Sequence, residues 1–283
     1  MDAVILQALE NIRCGFLDVF FSIFTLLGEE MVVAGIIAVI YICFKKSLGE
    51  RAIVTVLSAS CLTTGIKSAV QRPRPYVAGD VEKADNFLTE GLDETMSFPS
   101  GHATASSGFF ATLAFSVKKL TYILLCVLFV LLVAFSRLYL GVHYPSDVLT
   151  GLLIGTGMAI IWHFIYKGAY RARLYIYLGV AIAACAVLFI PSMQTKSMYE
   201  MAAIALATAI GLLIEEKCIR FDDADRWWKR GVRLLVMAIV AAVPYLLLSL
   251  LPEQILWFKF LQYFVTIFAA ITLVPLLIKK LRI

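Results

Sequence analysis

The sequence is poor in charge. Of its 283 residues only 16% are Asp, Glu, Lys or Arg, while 61% are hydrophobic. A soluble domain could not cover its surface with so few polar side chains, which excludes an ordinary aqueous globular protein. Histidine is scarcer still, at three residues. The six cysteines (Cys14, Cys43, Cys61, Cys126, Cys185 and Cys218) are not spaced as metal ligands, and most fall inside hydrophobic runs. They read as small packing residues, without zinc or disulfides. The N-terminus MDAVILQALENIRC lacks a basic leader and a small-residue cleavage site, so no cleavable signal is expected. There is no internal repeat and no low-complexity linker. No carboxylate cluster suits a metal, so neither metal nor cofactor is expected.

What is present is apolar sequence in runs. Nine hydrophobic segments, at about 30–44, 52–70, 101–117, 120–140, 146–166, 174–191, 198–214, 232–251 and 254–278, approach the length of a membrane helix. Residues 2–28 are apolar with helical spacing but interrupted by Glu10, Arg13 and Asp18, which suits a helix lying in the interface. The expected fold is therefore all-α, a polytopic membrane bundle of about nine spans plus an N-terminal interfacial helix. The basic loop 167–173 is the expected boundary between a core (1–170) and an extension of four helices (171–283).

Charge orients the bundle. If residues 45–51 face the cytoplasm and the sides alternate, the inner stretches 45–51, 118–119, 167–173, 217–233 and 279–282 hold 17 of the 25 basic residues. The outer loop 76–98 is acidic, with Asp80, Glu82, Asp85, Glu90, Asp93 and Glu94 against Lys83. The basic loops mark topology, and no nucleic-acid role is expected. Compact loops without an organellar signal suit a bacterial plasma membrane.

Three polar stretches stand at the mouths of hydrophobic segments on the outer side. Ser136 to Asp147, SRLYLGVHYPSD, puts an arginine, a histidine and an aspartate in one short turn. Arg137 is a fixed cation with donors suited to phosphate oxygens. His143 titrates near neutrality and can act as nucleophile or base. Asp147 follows by four residues, and Pro145 suits the first turn of the next helix. Pro99-Ser100-Gly101-His102 opens another segment. Lys67, six intervening residues and Arg74-Pro75 close an earlier one.

In their order along the chain the three stretches resemble the signature motifs of the type 2 phosphatidic acid phosphatase superfamily, which also includes glucose-6-phosphatase and the vanadium haloperoxidases. The resemblance covers roughly Phe16 to Lys167. It implies the roles that phosphoryl transfer needs. Lys67, Arg74 and Arg137 surround the phosphate, with the Ser100 hydroxyl and the Gly101 amide at a helix N-terminus. His143 attacks phosphorus, Asp147 holds its other nitrogen, and His102 protonates the leaving oxygen and then activates water. Arg72 is extra to the signature and reads as a surface or headgroup cation. His163, beside Trp162, reads as a structural histidine, and Trp227 and Trp228 as interfacial anchors.

The expected function is hydrolysis of the terminal phosphate of a membrane lipid phosphate or diphosphate on the non-cytoplasmic face. A phosphatase of a soluble sugar phosphate is the alternative. A vanadate-dependent haloperoxidase fits less well, because those proteins are soluble, as does an inactive lipid-binding protein.

Overall fold

The computed structural model describes residues 2–84, 96–252 and 254–283, so Asp85, Glu90, Asp93 and Glu94 of the acidic loop lie outside the described residues. All named elements are helices, and one isolated bridge joins Pro73 to Met96. Four helices precede the acidic loop: α1 (Asp2–Glu10), α2 (Gly15–Leu26), α3 (Glu30–Val39) with a π-helical continuation over Ile40–Phe44, and α4 (Lys46–Val70). The short α5 (Pro75–Ala78) begins the loop. After it come α6 (Gly101–Ser116), α7 (Leu120–Tyr139) and α8 (Pro145–Gly168). The last four are α9 (Arg173–Val187), α10 (Lys196–Ile214), α11 (Trp227–Leu248) and α12 (Leu256–Leu281).

Among the described residues seven helices are long and apolar enough to cross a membrane, and α2 with α3 and its continuation forms an eighth candidate, bent by 50°. The chain is an all-α integral membrane protein. The count is lower than nine spans plus an interfacial helix, for two reasons. First, α6 has only 16 residues, about 24 Å of helix against a hydrocarbon core of about 30 Å. Its residues Ala103 to Phe109 are all buried in protein, so its small and hydroxyl side chains need no lipid-facing length. Second, the segment at 30–44 is the ten-residue α3 with a five-residue continuation, long enough only when joined to α2, and residues 2–28 are two helices with a break at 11–14. The charges that interrupt this stretch have protein partners. Arg13 donates to the carbonyls of Tyr139 (3.0 Å) and Glu82 (2.7 Å), Asp18 accepts from the Tyr139 hydroxyl (2.6 Å), and Glu10 accepts from the Glu82 N–H (2.8 Å).

The chain divides into two compact units, one of Met1–Gly35 with Leu62–His163 and the other of Ile36–Cys61 with Phe164–Ile283. In the first, α2 packs on α7 through Phe21, whose ring lies 4.6 Å from that of Tyr139 and 5.2 Å from that of Phe135. The turn from α7 to α8 needs Gly141, where φ is +71° and a Cβ would meet Arg13 Nη2 at 2.7 Å. On α8, Gly151 and Gly155 let α6 come close, as small residues do between membrane helices. A Cβ on Gly151 would fall 2.6 Å from the Ser100 carbonyl oxygen, and one on Gly155 would fall 2.3 Å from that of Thr104.

In the second unit α9 packs on α10, α10 on α12 and α12 on α11. Leu235, Ile239, Val243, Leu246 and Leu247 of α11 are exposed, an apolar surface that suits lipid. Several charges counted as topology markers are internally paired here. Buried Arg173 binds Glu50 (2.6 Å) and Glu216 (2.9 Å), and Lys46 binds buried Glu215 (2.6 Å). Arg233 donates to the carbonyls of Ile42 (2.8 Å) and Ile283 (2.7 Å).

The approach of α6 to α8 yields a first prediction. Gly155→Ala places a methyl group 2.1 Å from Ser107 Oγ, and is expected to cost about 1–3 kcal/mol of stability by overpacking. Gly157→Ala, with nothing within 4 Å, is expected to be neutral or slightly stabilising. Thermal unfolding of the two variants in one detergent checks the pair.

Candidate active site

Pro145 is the first residue of α8, which sets Asp147 in its first turn, where a carboxylate satisfies free N–H groups. Asp147 Oδ2 accepts from the Tyr144 N–H at 2.9 Å, and the Asp147 side chain is fully buried. His143 precedes this cap and is also buried. Arg74 Nη1 donates to the Val142 carbonyl at 3.0 Å and to His143 Nε2 at 3.2 Å. A guanidinium can only donate, so Nε2 carries the lone pair and Nδ1 the proton. Nδ1 lies 3.5 Å from Asp147 Oδ2, an approach just longer than a formed hydrogen bond. Burial, followed by the charges of Arg74, Arg137, Lys67 and His102, holds His143 well below the usual histidine value. Both causes disfavour the charged imidazolium.

Ser100 caps α6 by accepting from the Ala103 N–H at 3.4 Å, and its own N–H donates to the Asp147 carbonyl at 3.0 Å. Gly101 opens the helix, and a Cβ there would lie 2.8 Å from Glu30 Oε1, so a carboxylate faces this N-terminus. Arg137, in the last turn of α7, is buried and donates to Thr25 Oγ1 at 2.6 Å. Its Nε is buried without a hydrogen bond among the described residues. Lys67 lies in the last turn of α4. All eight candidate residues lie in the first unit.

The structure adds residues that sequence reasoning passed over. Arg72, read as a surface cation, donates to Asp147 Oδ1 (2.9 Å) and Ser146 Oγ (2.7 Å), and lies 3.8 Å from the centroid of the Tyr144 ring. Asp2 accepts from Ser146 Oγ at 2.6 Å and lies 3.5 Å from Arg72. No carboxylate follows His102 by four residues as Asp147 follows His143, but Glu29 Oε2 lies 3.0 Å from His102 Nε2. One signal was available for Arg72. It stands two residues before Arg74, so any extended backbone there puts it beside the same motif. His163 packs its ring 4.7 Å from that of Phe115, away from this group, and all six cysteines are free.

Residues 51–171 match the family model of the PAP2 superfamily, and residues 199–283 match that of the PAP2 superfamily phosphatase transmembrane extension. The chain belongs to the PAP2 superfamily. It is 30% identical over 119 residues to a lipid A 1-phosphatase of Rhizobium etli, a match covering 42% of this chain and 50% of that one. It is 34% identical to a decaprenylphosphoryl-5-phosphoribose phosphatase of Mycobacterium tuberculosis (41% and 59% covered) and 31% identical to an undecaprenyl-diphosphatase of Sulfolobus acidocaldarius (47% and 63%). The chain thus spans between half and two thirds of the length of these relatives. The crystal structure of Aquifex aeolicus LpxE superposes with a TM-score of 0.49 at 30% identity, over 56% of this chain and 91% of that one. The PAP2 match contains the three polar stretches, whereas Asp2, Thr25 and Glu29 precede it.

In this PAP2 protein Arg72 is the cation that holds Asp147. Arg72→Ala is expected to cost about 1–3 kcal/mol, because it leaves a buried carboxylate one charged partner short. Added to Asp147→Ala it is expected to cost little more, since both changes remove one contact. Thermal unfolding of the two single variants and the double variant checks the coupling.

Proposed function

We propose that this protein is a membrane phosphatase that removes the terminal phosphate of a lipid phosphate or lipid diphosphate through a phosphohistidine on His143. The observation that carries the reading is His143 Nε2 at 3.2 Å from the Arg74 guanidinium, which can only donate and so requires an unprotonated Nε2, with Nδ1 toward Asp147. A nucleophile needs that protonation state, and a cation beside it brings a phosphate oxygen within reach. The orphaned Nε of Arg137 supports the reading, since a buried donor calls for an acceptor such as a phosphate oxygen. The relatives, a lipid A 1-phosphatase, a decaprenylphosphoryl-5-phosphoribose phosphatase and an undecaprenyl-diphosphatase, agree with it.

In the proposed reaction Lys67, Arg74, Arg137, Ser100 and the Gly101 amide hold the phosphate oxygens. The Nε2 lone pair forms a bond to phosphorus as the ester P–O bond breaks. His102 gives its proton to the departing oxygen. Asp147 steadies the charge that develops on His143. Water then yields a proton to His102 as its oxygen attacks phosphorus, the P–N bond breaks and phosphate leaves. Three cations supply the charge neutralisation, so the reaction needs no metal. In this proposal residues 1–170 form the phosphatase core and 171–283 the extension. The site opens on the non-cytoplasmic face of a bacterial plasma membrane, where the lipid tail remains in the bilayer.

Purified protein assayed on phosphatidic acid, a polyprenyl diphosphate and glucose 6-phosphate in excess EDTA tests the reading. Lipid substrates are expected to release phosphate and the sugar phosphate little. His143→Ala is expected to abolish turnover and any acid-labile phosphoenzyme, and His102→Ala to slow turnover by about 10²–10⁴. Activity lost to EDTA and restored by magnesium, or a phosphoenzyme trapped in His143→Ala, overturns it.

Orientation follows from the basic loops, provided that α6 crosses the membrane with the others. In a cysteine-free background, a cysteine at Asp85, outside the described residues, is expected to react with an impermeant maleimide added to cells. One at Asp225 is expected to react only after lysis. The reverse pattern places the site in the cytoplasm.

A further inference from the structure

The two histidines are served differently. Asp147 reaches His143 from four residues away on the same turn. The carboxylate beside His102 comes from another part of the chain, the turn between α2 and α3. That turn is tightly made, with the Gly28 N–H donating to the Thr25 carbonyl (3.0 Å) and the Glu29 N–H to that of Leu26 (3.1 Å). It is also pressed onto α6 and α7. A Cβ on Gly28 would fall 2.4 Å from Val133 Cγ1 and 3.2 Å from both Cβ and the carbonyl oxygen of His102. Only glycine allows this approach, and the next residue, Glu29, is thereby delivered to the ring with Oε2 3.0 Å from Nε2. The last turn of α2 also carries Thr25, the partner of Arg137.

We propose that Glu29 is the positioning residue of His102, holding its Nε2–H so that Nδ1 handles the proton, and stabilising the imidazolium whenever it forms. The proposal rests on the phosphatase reading above. Its physical need lies in the neighbours of His102. Burial first, and then Arg137 from α7 and Lys67 from α4, oppose a positive charge on this ring. Glu29 is the carboxylate that acts on it. General acid catalysis requires the charged imidazole at the moment the P–O bond breaks, and a carboxylate in contact stabilises that form. When His102 later removes a proton from water, the same carboxylate stabilises the imidazolium that forms. Glu29 touches neither phosphorus nor water in this scheme and acts through His102 alone.

The test is a double-variant cycle on the purified full-length protein, with Glu29→Ala and Glu29→Gln each made alone and with His102→Ala. Two substrates differ in leaving group, phosphatidic acid with a basic alkoxide and p-nitrophenyl phosphate with a stable phenolate. On phosphatidic acid Glu29→Ala is expected to lower kcat by about 10- to 100-fold, part of the usual value of a general acid, with KM changed by less than about 2-fold. On the nitrophenyl ester the loss is expected to shrink to about 3-fold or less, because that oxygen needs no proton. Glu29→Gln keeps an acceptor without the charge and is expected to fall between. In the His102→Ala background neither change is expected to matter, as for two residues acting as one unit. Equal losses on both substrates, or a further loss on top of His102→Ala, overturns the proposal and makes Glu29 a structural residue. A leaving-group-dependent His102→Ala defect that the Glu29 variants do not share overturns the proposal while sparing the phosphatase reading. A wild-type protein that releases phosphate from neither substrate, nor from a polyprenyl diphosphate, overturns both.

Discussion

One buried carboxylate links the three polar stretches. Asp147 is fully buried, and such a charge persists only when its oxygens have partners. Its Oδ2 caps α8 through the Tyr144 N–H and faces His143, while its Oδ1 takes Arg72 from the first stretch. Its backbone carbonyl takes the N–H of Ser100 from the second. Each stretch therefore leans on the same residue, and the position of each depends on the others. Arg72 is in turn steadied by the Tyr144 ring and Ser146. This gives the group a rigid floor at the mouth of the helices.

That floor depends on how closely α6 and α8 approach. Large apolar side chains gain little by leaving lipid for protein, so close packing of small residues holds membrane helices together. Gly151 and Gly155 on α8 meet Ser100, Ala103, Thr104 and Ser107 on α6 at distances that leave no room for a Cβ. The hydroxyl groups of α6 are satisfied along the helix, Thr104 by the Ser100 carbonyl (2.9 Å) and Ser107 by that of Thr104 (3.2 Å). A helix of this composition would be a poor lipid-facing span, and its burial in protein explains how 16 residues suffice.

The N-terminal segment is the less expected part of the group. Residues before the PAP2 match supply Asp2 near Arg72, Thr25 on Arg137 and Glu29 on His102. The charges that made this stretch look like a surface helix are partners for the loop ends of the first unit. Glu30 places a carboxylate near the start of α6, where the free N–H groups favour an anion. In the proposed reaction the phosphate competes with this resident negative charge for that helix end.

The amino-acid sequence determined what short-range geometry and hydropathy can carry. The apolar runs named the long helices, since a segment that must satisfy its own backbone in lipid has to be helical. The spacing of His143 and Asp147, with Pro145 between them, placed histidine and carboxylate on one turn. The three stretches and their order identified the family. Tertiary structure alone decided the rest. The contacts Arg72–Asp147 and Glu29–His102 join residues about 75 apart in the chain, a separation at which no periodicity records which side chains meet. Whether a charge such as Arg13 or Asp18 faces a headgroup or a carbonyl depends likewise on which neighbour the helix packs against. The burial of α6 was not legible for a related reason, because hydropathy registers how apolar a segment is but not whether protein or lipid surrounds it.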